Sequence, residues 1–355
     1  MKKEDAGQIL WVGIPGNSLE EKVGSRLRKM RPGGIILFKR NISSAGQLQY
    51  FCHELHNLYD PPPLIGIDQE GGRVNRLSAF LPEIPDAWIL GQHGDDMIVE
   101  RLGILTGKAL RMLGFDVDFA PVLDLSEPGS LNGIGDRAFS LDPEAVITMG
   151  AAFLRGLLSE GIAGTLKHFP GLGCSEIDSH DSLPTINKKK LSLSMEDIMV
   201  FTVLSEISPL IMIGHGYYPA LSTGRIPATL SSEIISEILR KEIDFDGVII
   251  TDDMEMGAVK NYTAEGDEAV RALEAGCDMV MYASSMEMAE QAFEKAGVAL
   301  EKGIIEKKQI AASFARIHEL KENFIDREKA GDPEAKLKEI SEEMRDISAK
   351  VKDSQ

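Results

Sequence analysis

Eight short apolar runs recur along this chain, most closing in acidic, basic or histidine residues, with mainly amphipathic stretches between them. They occupy residues 8–14, 34–38, 64–67, 117–125, 162–166, 210–213, 247–250 and 279–281. Runs rich in Val, Ile and Leu on both faces are the signature of strands covered on both sides, and alternation with helices makes the sheet parallel. Eight such units predict an α/β chain folded as a (β/α)8 TIM-type barrel, with a doubly wound sheet as the alternative. The barrel is favoured because polar motifs close several different runs, as when a site is assembled at the C-terminal face of many strands. The run 8–14 and the irregular stretch 77–94 fit this pattern least well.

The intervening helices are expected at about 19–30, 45–59 and 97–113, the second halted by Pro61-Pro62-Pro63 because proline lacks a donor and clashes with the preceding turn. Asp142-Pro143 opens another that runs to about Glu160, with Asp142 as cap and Pro143 in the first position. After about Gly303 the pattern turns to charged helix, over 306–324 and 333–351. The second has one thin apolar stripe, Leu337, Ile340, Met344, Ile347 and Val351. The expected organisation is therefore a catalytic barrel over 1–303 and a C-terminal helical extension over 304–355, packed on the barrel or on a partner.

Composition removes several function classes. The net charge of -18, from 38 Lys+Arg against 56 Asp+Glu, argues against a nucleic-acid partner and against adhesion to anionic membranes. No apolar run approaches the roughly 20 residues of a membrane helix. The N-terminal stretch lacks the apolar segment and cleavage site of a signal peptide. Cys52, Cys174 and Cys277 are far apart and form no C-x-x-C spacing, so neither a disulfide framework nor a zinc site is indicated. A cytoplasmic protein is expected, with no cofactor and no metal. Carboxylates alone still leave magnesium open.

The stretch from Lys167 to Pro184 concentrates the reactive groups: Lys167, His168, Asp178 and His180 lie within fourteen residues around a Pro-Gly-x-Gly turn that follows an apolar run. Such loops are also ordinary solvated connections. The Asp178-Ser179-His180 spacing permits a carboxylate to hold an imidazole in one tautomer, the orienting logic of a catalytic dyad, and equally permits a plain Asx turn. Other strand ends carry Asp68, Glu70, Arg73 and Arg76, then Asp124, His215, and the pair Asp252-Asp253. An acid closing a fully apolar strand needs a partner or a task, and capping the next helix is the plain alternative. His215 fits a core histidine as well as a pocket residue and is left outside the catalytic set. Cys174 has no neighbour in sequence that lowers its pKa. No G-x-S-x-G elbow, Walker loop or dinucleotide fingerprint is present.

Taken together these motifs resemble glycoside hydrolase family 3, specifically its single-domain β-N-acetylglucosaminidases. The shared pieces are Gly34-Ile35-Ile36-Leu37-Phe38 with Arg40-Asn41, the stretch from Ile67 to Arg76, and Phe119-Ala120-Pro121-Val122-Leu123-Asp124-Leu125. They continue through Asp136-Arg137-Ala138-Phe139, Lys167-His168-Phe169-Pro170-Gly171, Asp178-Ser179-His180, Pro227-Ala228-Thr229-Leu230-Ser231, Thr251-Asp252-Asp253-Met254 and Ala275-Gly276-Cys277-Asp278. The resemblance implies a retaining mechanism in which Asp252 is the nucleophile and His180, held by Asp178, is the acid/base. It also implies that Asp68, Arg76, Arg137, Lys167 and His168 grip the sugar. A histidine in place of a second carboxylate removes the mutual repulsion of two acids about 5 Å apart, and its reference pKa of about 6.5 suits both half-reactions.

The implied substrate is a small carbohydrate ending in N-acetylglucosamine, such as a peptidoglycan (muropeptide-like) fragment in wall recycling, handled by a monomer or weak homodimer. Two departures from the family's usual pattern stand out: Leu172 replaces a histidine in Pro-Gly-His-Gly, and Gly214-His215 replaces an Ala-His pair. A phosphorylase or β-glucosidase of the same family is the nearer alternative, and a sugar-binding barrel without activity the remoter one.

Overall fold

The computed structural model of the protein describes residues 3–179, 181–260, 262, 266–326 and 331–353. The apolar runs supply eight parallel strands: β1 (Leu10–Gly13), β2 (Gly34–Ile36), β3 (Leu64–Ile67), β4 (Val117–Asp118), β5 (Ala163–Phe169), β6 (Leu210–Ile213), β7 (Val248–Asp253) and β8 (Met279–Tyr282). Each pairs with its sequence neighbour, and β1 pairs with β8, so the sheet closes into the expected (β/α)8 barrel. Each strand is followed by a helix of the same number: α1 (Glu21–Met30), α2 (Ala45–His56), α3 (Asp96–Leu113), α4 (Pro143–Ser159), α5, α6 (Glu233–Glu242), α7 (Asp267–Ala275) and α8 (Met286–Lys302). α5 runs as one rod through Lys190–Ser192, a π-type segment Leu193–Asp197, and Ile198–Ser205.

Local chemistry sets the helix ends much as the residues predict. The Asp142 carboxylate accepts from Glu144 N at 3.2 Å with Pro143 in the first turn of α4. Three details depart from expectation. Residues 3–9 form a 3-10 helix, so the first strand starts only at Leu10. The run 117–125 pairs regularly only at Val117–Asp118, because Pro121 has no N–H for the ladder, and rejoins β5 at Val122 opposite Lys167. The irregular stretch contains a short helix, Ala87–His93, capped by the Asp86 carboxylate on Ile89 N at 2.9 Å.

The barrel interior is filled around Trp11, which is fully buried and meets Phe119 edge-on at 5.1 Å between ring centroids. Gly34 and Gly66 on the neighbouring strands make room for it: a Cβ on Gly34 would lie 2.3 Å from the indole, and one on Gly66 2.7 Å. The two C-terminal helices lie against the barrel. α9 (Lys307–Phe324) crosses its N-terminal mouth, where Asp278 at the foot of β8 accepts from Ile249 N, Ser313 Oγ and Arg316 at 2.8, 2.6 and 2.8 Å. α10 (Pro333–Asp353) packs on α2 and α3, burying the stripe Leu337, Ile340, Met344, Ile347 and Val351.

Two irregularities at the opposite, C-terminal mouth position the site. On β5 two steps, Lys167 to Phe169, match a single step on β6, Met212 to Ile213. On β7 three steps, Ile250 to Asp253, match two on β8, Met279 to Met281. An extra residue of this kind re-aims the side chains beside it. Alternation would send Lys167 and His168 to opposite faces, and likewise Asp252 and Asp253. Instead both pairs line one cavity.

Candidate active site

That cavity, of roughly 320 Å³, opens at the C-terminal face between Asp68, Glu70, Arg76, Arg137, Lys167, His168, Asp178 and Asp252. Seven of the eight residues that the motifs assign to the chemistry and to the sugar therefore meet in one place, from the ends of β3, β5 and β7 and from two long loops, whereas Asp124 and His215 do not line it. His180 lies outside the described residues.

A buried charge lattice forms one wall. Lys167 Nζ, 2 % exposed, sits 2.9 Å from Asp68 Oδ1 and 2.6 Å from Glu70 Oε1. Arg137 grips Glu70 with both arms, at 2.8 and 2.9 Å. Burial opposes the Glu70 charge, but Arg137 and Lys167 outweigh it and hold this carboxyl well below the usual range. Burial likewise opposes the Lys167 charge, and Asp68 and Glu70 reverse the balance, so Lys167 is held above its ordinary value. Both cations are thus permanently charged and geometrically fixed. Arg76 reaches Asp68 Oδ2 at 3.6 Å and lies over the Phe38 ring at 5.7 Å. Its buried Nε has no hydrogen-bond partner among the described residues.

The opposite wall holds Asp252. Its Oδ1 accepts from Asp253 N at 2.8 Å, and its Oδ2 lies 3.9 Å from His168 Nε2. Desolvation would raise its pKa; nearby His168 and His215, with the Asp253 amide, overcome that and lower it. Asp252 is the ionised member of the acidic pair. Asp253 is pushed up to about 7, by burial first and by Glu255 next. It serves the backbone, accepting from Glu255 N and Ala283 N, each at 3.1 Å. Asp253 thus closes the turn before the short helix Gly257–Lys260 rather than capping that helix. His215 is fully buried behind the pair, between Thr229 Oγ1 at 3.0 Å and the Asp253 carbonyl at 2.9 Å.

Two further acids complete the site. Asp124, fully buried, accepts from His168 Nδ1 and from Leu172 N, each at 2.6 Å, and from His168 N at 3.3 Å. An acceptor on Nδ1 fixes the hydrogen there and leaves Nε2 facing the cavity. Glu70 and Asp124 were visible in the sequence only as polar strand ends; their work is on other side chains, which no linear spacing reports. Gly133, at φ 75°, supports Asp178: a Cβ there would lie 2.6 Å from Asp178 Oδ2. The loop carrying Gly133 is tied down by Arg73, which donates to Gly133 O at 2.6 Å and reaches Asp136 at 2.7 Å. The described residues hold no cluster of His, Cys, Asp and Glu shaped for a metal.

Residues 2–320 match the glycosyl hydrolase family 3 N-terminal domain. The chain belongs to glycosyl hydrolase family 3. The match runs past residue 303 and takes in most of α9. The chain is 35 % identical to a β-hexosaminidase of Nitrosospira multiformis over 284 residues, 78 % of this chain and 80 % of that one. It is similar to a fungal multi-domain family 3 β-N-acetylglucosaminidase, with a TM-score of 0.91 and 31 % identity, covering 98 % of this chain and 42 % of that one. It is also similar to NagZ from Neisseria gonorrhoeae, solved with N-trifluoroacetyl-D-glucosamine, with a TM-score of 0.78 and 28 % identity over 97 % of this chain and 96 % of that one. A family 3 glycoside hydrolase of the β-N-acetylhexosaminidase type, as expected from the motifs, agrees with these relatives.

The two departures from the family pattern meet each other. Leu172 turns away from the cavity into a small apolar cluster with Val122, Ile134 and Ala138. A Cβ on Gly214 would lie 2.7 Å from Leu172 Cδ1 and 2.8 Å from His168 Cβ. Leu172 and the bare backbone at Gly214 are thus sterically complementary, directly beneath His168.

Proposed function

We propose that the chain is a retaining exo-β-N-acetylglucosaminidase acting through a glycosyl–enzyme intermediate, with Asp252 as nucleophile. The observation that carries this reading is the ionised, desolvated Asp252 carboxylate, 3.9 Å from His168, on the wall of a cavity sized for one sugar ring and opposite a wall of fixed charges. Asp68, Arg76, Arg137, Lys167 and His168 hold the sugar hydroxyls; the orphan Arg76 Nε is a donor available to an oxygen of the ligand. Asp178 orients the acid/base, a role assigned to His180 on the sequence motif. No metal takes part. The N-acetylglucosamine unit is proposed from the relatives, and a peptidoglycan-type fragment in a cytoplasmic recycling route as its source.

The test follows 4-nitrophenyl N-acetyl-β-glucosaminide by proton NMR during the first turnovers. Retention releases the β-anomer of the free sugar first, and Asp252→Asn abolishes turnover. An α-anomer appearing first refutes the mechanism. Phosphate in the buffer separates the related alternative: a sugar 1-phosphate product reassigns the enzyme as a phosphorylase.

A further inference from the structure

Exposed apolar side chains are scattered over most of the surface, but four of the largest stand in register on one helix. Leu191 is 74 % exposed, Met195 59 %, Val203 49 % and Ile207 42 %, the last just beyond the end of α5. With the half-buried Met199 they form an unbroken i, i+4 ridge over the stretch 191–207, about 24 Å long at the helical rise. The π-type turn at Leu193–Asp197 carries more residues per turn, which keeps Leu191 and Met195 on one line. The opposite face of the rod, Leu193, Ile198, Phe201 and Leu204, is already spent on the core.

Charge is depleted along this ridge. In a chain that is 26 % charged, residues 191–205 contain only Glu196 and Asp197, and Asp197 is buried against Lys188 at 2.5 Å. Glu196 is drawn to the same lysine at 2.6 Å. The remaining flanks are small and uncharged, Ser192, Ser194, Thr202 and Ser205. Depletion of charge with enrichment in methionine is the composition of an interface core. Apart from Glu196, whose half-exposed side chain is held by Lys188, charge returns at the two ends with opposite sign: exposed Lys189 and Lys190 at the N-terminus, exposed Glu206 at the C-terminus.

We propose that this face of α5 is a self-association surface, occupied by the same face of a second copy of the chain in an antiparallel, two-fold arrangement. A two-fold axis places each patch on itself, and antiparallel docking sets Lys189 and Lys190 of one copy beside Glu206 of the other. The i, i+4 ridges of two such helices interdigitate at a crossing of about 50°. Five side chains on a single helix cover less than the roughly 800 Å² per partner of a standard interface, so the dimer is weak, with a dissociation constant on the order of 10–100 µM. None of the five ridge side chains lines the catalytic cavity.

Sedimentation velocity of the full chain between about 1 and 200 µM tests this. The expected result is a monomer–dimer equilibrium that Val203→Glu, or separately Met195→Glu, displaces at least tenfold toward monomer with unchanged thermal unfolding. Lys190→Glu weakens the dimer about fivefold, and adding Glu206→Lys restores it, since each end meets the opposite end. A monomer at every concentration overturns the proposal, and so does a dimer indifferent to Val203→Glu. Failure of the charge-reversal pair to restore association overturns the antiparallel arrangement.

Discussion

Asp124→Asn isolates the contribution of one buried carboxylate to a site it does not face. Asparagine is isosteric, and its amide oxygen still accepts from Leu172 N, now 2.6 Å from Asp124 Oδ1. Its NH2 group then stands where Oδ2 now meets His168 Nδ1 at 2.6 Å. An NH2 cannot accept a hydrogen, so Nδ1–H loses its acceptor and the ring is no longer held in one orientation toward Asp252 and the sugar. A charge-assisted hydrogen bond of this kind is worth about 1.5–3 kcal/mol. At about 1.4 kcal/mol per decade, kcat/KM for the nitrophenyl N-acetylglucosaminide falls about 10- to 150-fold. The turn stays anchored through Leu172, so the melting temperature drops by only a few degrees. His168→Gln combined with Asp124→Asn loses little more than His168→Gln alone, because both act through one ring. An Asp124→Asn enzyme within twofold of the parent, or strictly additive losses in the double variant, would refute the reasoning.

Gly133→Ala places a methyl group 2.6 Å from Asp178 Oδ2 on a residue with φ 75°, whereas Gly129, at φ 87°, has nothing within 4 Å. Both alanines cost about 1 kcal/mol of backbone strain, but only Gly133→Ala is expected to depress turnover tenfold or more; equal activities would show that Asp178 does not depend on this support. Asp253, held at about 7 against an ordinary 3.8, binds its proton more tightly folded than unfolded. Its stabilising contribution is complete below about pH 4 and is lost as the pH rises through about 7. Asp253→Asn keeps the oxygen that serves Glu255 N and Ala283 N, so urea unfolding at pH 5 and pH 8 should differ less in the variant than in the parent; an unchanged difference assigns the slope to other groups.

Much of the architecture could be read from the chain because it is written in local periodicity. Strands buried on both faces must be apolar throughout, helices must carry a stripe, and Asp142-Pro143 or the stripe from Leu337 to Val351 report their elements without any knowledge of the rest. That these polar residues would share one cavity was legible too, His180 lying outside the described residues, since strand ends converge wherever a barrel closes. What the linear pattern could not contain was direction. Lys167 with His168, and Asp252 with Asp253, reach the same cavity only because β5 and β7 each hold one residue more than the neighbouring strand, and register between strands is settled by packing across the whole sheet. Nor could spacing divide the acids among their tasks. Asp252 is ionised toward the cavity, Asp253 caps a turn, Glu70 pins two cations and Asp124 holds a histidine. These roles are fixed by desolvation and by charges brought from elements up to a hundred residues apart, and such fields exist only once the chain has folded.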